Sequence, residues 1–318
     1  VDPDLVVPID VLSRFVLDGG KRLRPAFCHW AFVGSGGGAH DPQIIDTGAA
    51  FELLHAFALV HDDVMDGSLT RRNARTVHVT FGQRHAEQSW NGESRRFGEG
   101  IAILVGDLAE VLADRLVTGA PSEAFGVWNE LKIELNIGQY LDVLGAARGN
   151  VDLATARRIV RYKSGKYTIE RPLHLGAALA GQLDRLAAPL SAFGAPLGDA
   201  FQLRDDVLGV FGESDRTGKP VGDDLREGKP TALLAIALER SAGAQRAVLD
   251  RVGTVELDPE DVADIAQVFV DTGALAEVET MIESLVADSI DALAAVDLDS
   301  DARAALRELA VYVGERRR

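Results

Sequence analysis

The amino-acid sequence predicts an all-α protein built as one large helical domain. Three observations carry this reading. Alanine and leucine dominate over runs of β-branched residues, which favours helix over strand. Residues 51–60 are apolar on nearly all sides, the pattern of a helix buried among other helices. No composition break, low-complexity tract or Pro/Ser/Gly linker divides the 318 residues, and a hydrophobic content of 47% supplies an ample core.

Composition also excludes functions. A net charge of −16 argues against nucleic acid and against an anionic membrane surface as partners. The single cysteine, Cys28, allows no internal disulfide and no cysteine-based metal cluster, which suits a reducing cytoplasm. No apolar stretch reaches spanning length, and Val1-Asp2-Pro3-Asp4 lacks the charged and apolar regions of a signal peptide. The expectation is a cytoplasmic protein without a membrane span.

Val6–Leu17 reads as a short amphipathic helix, ended by Gly19-Gly20. Lys21, Arg22 and Arg24 follow, and Pro25 is placed to open the next helix. Cations gain nothing from a helix N-terminus, so three of them beside spare backbone N–H groups read as an anion site, most naturally for phosphate. A solvated basic turn is the plainer alternative. The glycine-rich residues 32–40 read as a loop and lack the strand-then-helix setting of a dinucleotide fingerprint.

The apolar helix at 51–60 ends in His61-Asp62-Asp63-Val64-Met65-Asp66. Asp62 and Asp66 are four apart, so they share a face, repel, and sit where the helix dipole is already negative. The arrangement makes sense around a cation, and hard oxygen donors suit Mg²⁺. The alternative is a solvated acidic helix end. His55, seven residues before Asp62, lies on nearly the same face, as a ligand contact or as a satisfied core residue. Arg71, Arg72 and Arg75 then supply bidentate partners for phosphate, or for the acids themselves.

Residues 83–100 read as an exposed polar connection. Helices are expected at 101–116, 123–144, 153–162 and 177–192, with a break at 162–168 where Gly165 stands beside Lys163 and Lys166. Phe201-Gln202-Leu203-Arg204-Asp205-Asp206-Val207-Leu208-Gly209 repeats the apolar-helix-then-acids theme. A long Gly/Asp/Lys loop at 211–231, with Lys219 and Lys229, has the character of a mobile lid. Amphipathic helices fill the rest, with Asp258-Pro259 as a helix start and Arg316-Arg317-Arg318 as a solvated tail able to reach an anionic site.

From Gly19 to about Thr231 these motifs, in this order, resemble the trans-isoprenyl diphosphate synthases, most closely the geranylgeranyl type of actinobacteria. The resemblance implies a helical bundle of isoprenoid-synthase type around a central active-site cavity, and a homodimer. It implies that Lys21, Arg24, His55 and Arg72 hold isopentenyl diphosphate. Asp62, Asp66 and Asp205 would hold Mg²⁺, three ions once substrate is bound. Arg71, Lys163 and Ser164 would meet the allylic diphosphate, Gln202, Lys219 and Lys229 on and beyond the second acid motif would bind substrate, and Arg71, Lys163 and Lys219 would stabilise the departing diphosphate. The implied reaction is ionisation, attack by the isopentenyl double bond, and proton loss to the released diphosphate. Phe57, roughly 7–8 Å down the helix from Asp62 at ~1.5 Å per residue, would be the floor that limits the product to about C20; as ordinary core it would have no such role.

One departure stands out: Gly209 replaces the usual last aspartate of the second acid motif. Two other functions share parts of the pattern. A class I terpene cyclase also ionises a prenyl diphosphate, and Asp205-Asp206, Gly209 and Glu213 approximate its second metal motif, but it needs no second diphosphate site. A non-catalytic subunit of a heteromeric synthase should have lost the first acid motif, which is intact here.

Overall fold

The computed structural model describes residues 2–148, 152–212, 221–254 and 257–316. They are helical almost throughout; the strands among them are two two-residue arms of one hairpin. Packing groups the chain into two compact units, Val1–Ala26 with His40–Ala120, and Phe27–Ala39 with Pro121–Arg318.

The first unit is organised on α3, Pro42–Asp66. Asp41 caps it by accepting from the Gln43 N–H at 2.8 Å, and Pro42 opens it with a φ already suited to helix. Gly67 stops it in the left-handed region at φ +66°. Phe51, Leu54, Ala56 and Val60 are buried along α3. Helix α1 (Val6–Leu17) packs on it, as does α5 (Ser94–Val117), which also packs on α4 (Val77–Glu87). The shared core joins Leu12, Ala56, Val60, Val77, Phe81, Ala102, Val105 and Ala109. By length and hydropathy α3 could span a bilayer, a property the sequence reading missed; 44% of its apolar window is buried within the protein.

Helix α2, Leu23–Gly34, begins two residues before Pro25, so that proline lies in the first turn rather than opening it. The connection expected at 83–100 is exposed over most of its length but shorter, residues 88–93, with the end of α4 and the first turns of α5 on either side. His85 is buried there, bonded to Ser94 Oγ at 2.9 Å and packed edge-on against Trp90 and at a tilt against Phe97. Local polarity hid these helices because their polar groups satisfy one another.

In the second unit α6 (Ser122–Arg148) is followed by α7 (Leu153–Val160), a π-helix (Arg161–Glu170), α8 (Arg171–Leu179) and α9 (Leu183–Phe211). A four-residue helix α10 (Asp223–Arg226) interrupts the expected loop. Then come α11 (Ala232–Arg240), α12 (Ala244–Leu249), α13 (Pro259–Asp271), α14 (Ala274–Leu293) and α15 (Ser300–Glu315). Asp258 and Asp261 form the capping box of α13, as the sequence suggests. The core runs through Leu203, Val207, Leu233, Ile236, Ile265, Phe269 and Ile282, so α9 and α11 lie at its centre.

The break expected at 162–168 is a continuous helix wound more widely. Extended π-helix is rare and tends to mark functional positions. Here it accompanies two close backbone approaches. A Cβ on Gly138 of α6 would lie 2.3 Å from Lys163 N, and one on Gly198 of α9 would lie 2.6 Å from Gly165 Cα. Glu134 ties the same turn to α6 through Arg171 (Nε to Oε2, 2.6 Å) and Lys166. Burial alone would raise the Glu134 pKa, but these two cations hold it below the ordinary value.

Candidate active site

The described residues that the sequence singles out fall into two sets, one in each unit. In the first unit the last turn of α3 carries Asp62, Asp63 and Asp66. The hairpin Thr70–Arg71 with Ala74–Arg75 turns through Arg72 and Asn73, both at positive φ. That turn geometry matches the twist of a two-residue hairpin and sends Arg71 back to the acids. Arg71 Nε donates to Asp63 Oδ1 at 2.7 Å, and its Nη2 reaches Asp62 Oδ2 at 3.3 Å. Burial works against the charge on Arg71, yet Asp63 and Asp62 together hold its pKa above the ordinary value. Asp63, which sequence reasoning left without a role, is only 1% exposed and is the anchor of this arginine.

Arg22, counted at first with the anion site, is committed to structure: it pairs with Glu52 and donates to Val16 O at 2.7 Å. Arg72 donates to Phe15 O at 3.1 Å and Asp18 O at 2.8 Å, with its guanidinium 5.5 Å from the Phe15 ring centre. A shallow cleft beside it is lined by Phe15, Val16, Glu52, His55, Ala56 and Arg72. Burial first, then Arg71, Arg22 and Arg24, lowers the Arg72 pKa. Burial also drives the His55 pKa well below its ordinary value, reinforced by Arg24, Arg72 and Arg71 and opposed by Asp62. His55 is therefore a neutral imidazole among arginines. Lys21 is exposed and Arg24 half-buried.

The His55 shift has a consequence for stability. The unfolded imidazole protonates below about pH 6.5 while the folded one stays neutral, so acid favours the unfolded chain. The stability difference between wild type and His55→Gln should shrink as pH falls below 6.5, by up to ~1.4 kcal/mol per pH unit. Urea unfolding of both proteins from pH 8 to pH 5 measures it; parallel curves would contradict a buried neutral His55.

Phe57 is half-buried, its ring 4.7 Å from that of His61, and it packs against the Ala56–Val60–Val105 core.

In the second unit Lys163 pairs with Asp142. Ser164 follows it on the π-helix, half-buried. Gln202 Nε2 donates to Asp206 Oδ1 at 2.8 Å, while Asp206 Oδ2 is buried with no hydrogen-bond partner. Burial, with Asp224, Asp205 and Asp142 nearby, pushes the Asp206 pKa well up; only the Gln202 amide opposes this. Lys229 pairs with Glu227 at 2.5 Å and with Asp224 at 3.5 Å. Lys219 and Glu213 lie outside the described residues. Gly209 has a neighbour the sequence did not reveal: a Cβ there would lie 2.7 Å from Asp224 Oδ2. The place of the missing aspartate is thus filled by a carboxylate from α10. Arg316, expected in a solvated tail, is 5% exposed and bonded to Asp205.

The donors Asp62, Asp66 and Asp205 are all carboxylates, the hard oxygen ligands that suit Mg²⁺. Among the described residues no three His, Cys, Asp or Glu side chains form a group that could hold a metal ion. Cys28 is fully buried and its thiol pKa is raised by burial, which makes it inert.

Residues 9–271 match the polyprenyl synthetase family model. A geranylfarnesyl diphosphate synthase of Aeropyrum pernix is 33% identical over 308 residues, covering 94% of this chain and 91% of that protein. A geranylgeranyl diphosphate synthase of Sulfolobus acidocaldarius is 32% identical over 310 residues, 94% of this chain and 88% of that one. A geranylgeranyl pyrophosphate synthase of Corynebacterium glutamicum, solved with isoprenyl diphosphate and magnesium, is 39% identical. It aligns with a TM-score of 0.94 over 99% of this chain and 92% of its own. With its ordered acid and basic motifs carried on this helical fold, the chain belongs to the polyprenyl synthetase family.

Proposed function

We propose that the protein is a Mg²⁺-dependent trans-prenyltransferase that couples isopentenyl diphosphate to an allylic diphosphate and releases a prenyl diphosphate near C20. The observation that carries this is the division of charge within the first unit. Carboxylates Asp62 and Asp66 stand with Arg71 at one end of α3, and Arg24 and Arg72 cluster near neutral His55. That is provision for two diphosphates, one through metal and one through cations alone, whereas a cyclase needs one.

In this reading Asp62, Asp66 and Asp205 would hold Mg²⁺, which would supply charge neutralisation for a departing diphosphate. Arg71 and Lys163 would add positive charge for the allylic diphosphate, and Ser164, Gln202, Lys219 and Lys229 would add substrate contacts. Lys21, Arg24 and Arg72 orient isopentenyl diphosphate, with His55 beside them as a neutral donor. The double bond attacks the allylic cation, the new carbon–carbon bond forms, and the proton leaves to the released diphosphate. Because the described acids form no closed metal cage, substrate oxygens and water would complete the coordination.

Incubation of labelled isopentenyl diphosphate with C5, C10 and C15 primers, with and without Mg²⁺, tests the reading by product size. Hydrocarbon release from a single prenyl diphosphate without isopentenyl diphosphate would replace it with a cyclase. Phe57→Ala is expected to shift the product beyond C20, read by chromatography of the dephosphorylated alcohols; an unchanged distribution would remove Phe57 as the floor.

A homodimer fits two apolar stripes left exposed at helical spacing. They are Leu104, Leu108 and Val111 on α5, and Ile133, Ile137 and Tyr140 on α6.

A further inference from the structure

Arg316 follows α15, and its side chain is 1% exposed although it carries a full charge. A buried cation needs partners, and three are present. The guanidinium lies 3.9 Å from the Phe201 ring centre, and its Nη2 donates to Phe201 O at 2.7 Å and to Asp205 Oδ1 at 2.6 Å. Asp205 itself is 40% exposed, so its immediate surroundings do little to fix its rotamer. Its helix neighbours offer no second hold. Gly209 has no side chain, Asp206 is bonded to Gln202, and Asp142, Asp206 and Asp224 add like charge.

We propose that Arg316 is a positioning residue for the coupling reaction, holding Asp205 by Oδ1 in the orientation in which it would serve Mg²⁺. The inference rests on reading Asp205 as a metal ligand. Carboxylates that bind metals are commonly held by a second hydrogen-bonding partner, and loss of that partner typically costs 10–100-fold in metal affinity. Here the arginine is a better clamp than a lysine, since its flat face lies over Phe201 while its edge meets the carboxylate. The cation also offsets the repulsion among the neighbouring acids Asp142, Asp205, Asp206 and Asp224.

The test compares wild type, Arg316→Ala, Arg316→Lys and Phe201→Leu in the full chain. Two quantities are read: the Mg²⁺ concentration that half-saturates coupling, and calorimetric binding of inorganic diphosphate as a function of Mg²⁺. Arg316→Ala should raise the Mg²⁺ requirement in both by about 10–100-fold. Arg316→Lys should shift it by a smaller factor, and Phe201→Leu should lower the melting temperature with little change in Mg²⁺ dependence. A folded Arg316→Ala with unchanged Mg²⁺ dependence would make the arginine a purely structural pin. A lowered requirement would make it a competitor of the metal; either result overturns the proposal. If Arg316→Ala does not fold, Arg316→Lys decides, and an unshifted curve counts against the inference. Wild type that fails to couple substrates refutes the functional reading instead, while the calorimetric comparison still judges Arg316.

Discussion

Asp62→Asn should lower the rate of coupling by about three orders of magnitude or more and leave the fold standing. The side chain keeps its shape and loses only charge. Arg71 retains Asp63, its closer partner at 2.7 Å against 3.3 Å for Asp62, so the local ion pair survives the change. Stability should move by ~1 kcal/mol or less, the range of substitutions that disturb neither core nor cap. The rate is another matter. Departure of a diphosphate builds negative charge that water cannot reach in a closed site, and metal-based stabilisation of such charge supplies several kcal/mol. A loss of ~4 kcal/mol corresponds to 10³-fold in rate. Single-turnover coupling at saturating Mg²⁺ measures the effect without interference from product release. A variant within tenfold of wild type would mean that Asp62 holds no essential metal.

Much of this site is written in short stretches of sequence. The acid run at the end of α3 and the arginines after it need only helical spacing and a turn to be recognised, and the structure pairs Arg71 with that run. The cap and stop of α3 likewise follow from Asp41-Pro42 and Gly67. What escaped reading depends on partners far along the chain. Arg316 looks like tail because it opens a run of three arginines; its burial is decided by Phe201 and Asp205, more than a hundred residues earlier. The carboxylate beside Gly209 comes from Asp224, across a segment that reads as loop. The π-helix looked like a break because glycine lowers helix propensity, whereas Gly165 is there to meet Gly198. The acids at 62, 63 and 66 were legible as a group but not in their division of labour. Asp63 turns inward to an arginine that the chain brings back by hairpin, and no helical periodicity announces that.

That division gives the second large effect. Arg71→Met should abolish coupling and also destabilise the protein by ~3–5 kcal/mol, because it takes the arginine away from the buried Asp63 carboxylate. Asp63 is 1% exposed and Arg71 11%, so solvent cannot take over the lost partner. The two consequences have different origins, and a double substitution separates them. Asp63→Asn placed on Arg71→Met removes the stranded charge, so a large share of the stability should return, measured by urea unfolding at pH 7. Replacing both members of a buried pair is often close to neutral, whereas deleting one is not. Coupling activity should not return with it, since neither methionine nor asparagine can place positive charge against a departing diphosphate. If activity recovered alongside stability, Arg71 would be an architectural residue that merely props up α3. If neither recovered, the damage would lie in the packing of the hairpin rather than in the charge of Asp63. Stability regained without activity is the result that assigns Arg71 both tasks: neutralising a buried aspartate on one edge and presenting its remaining N–H groups to substrate on the other.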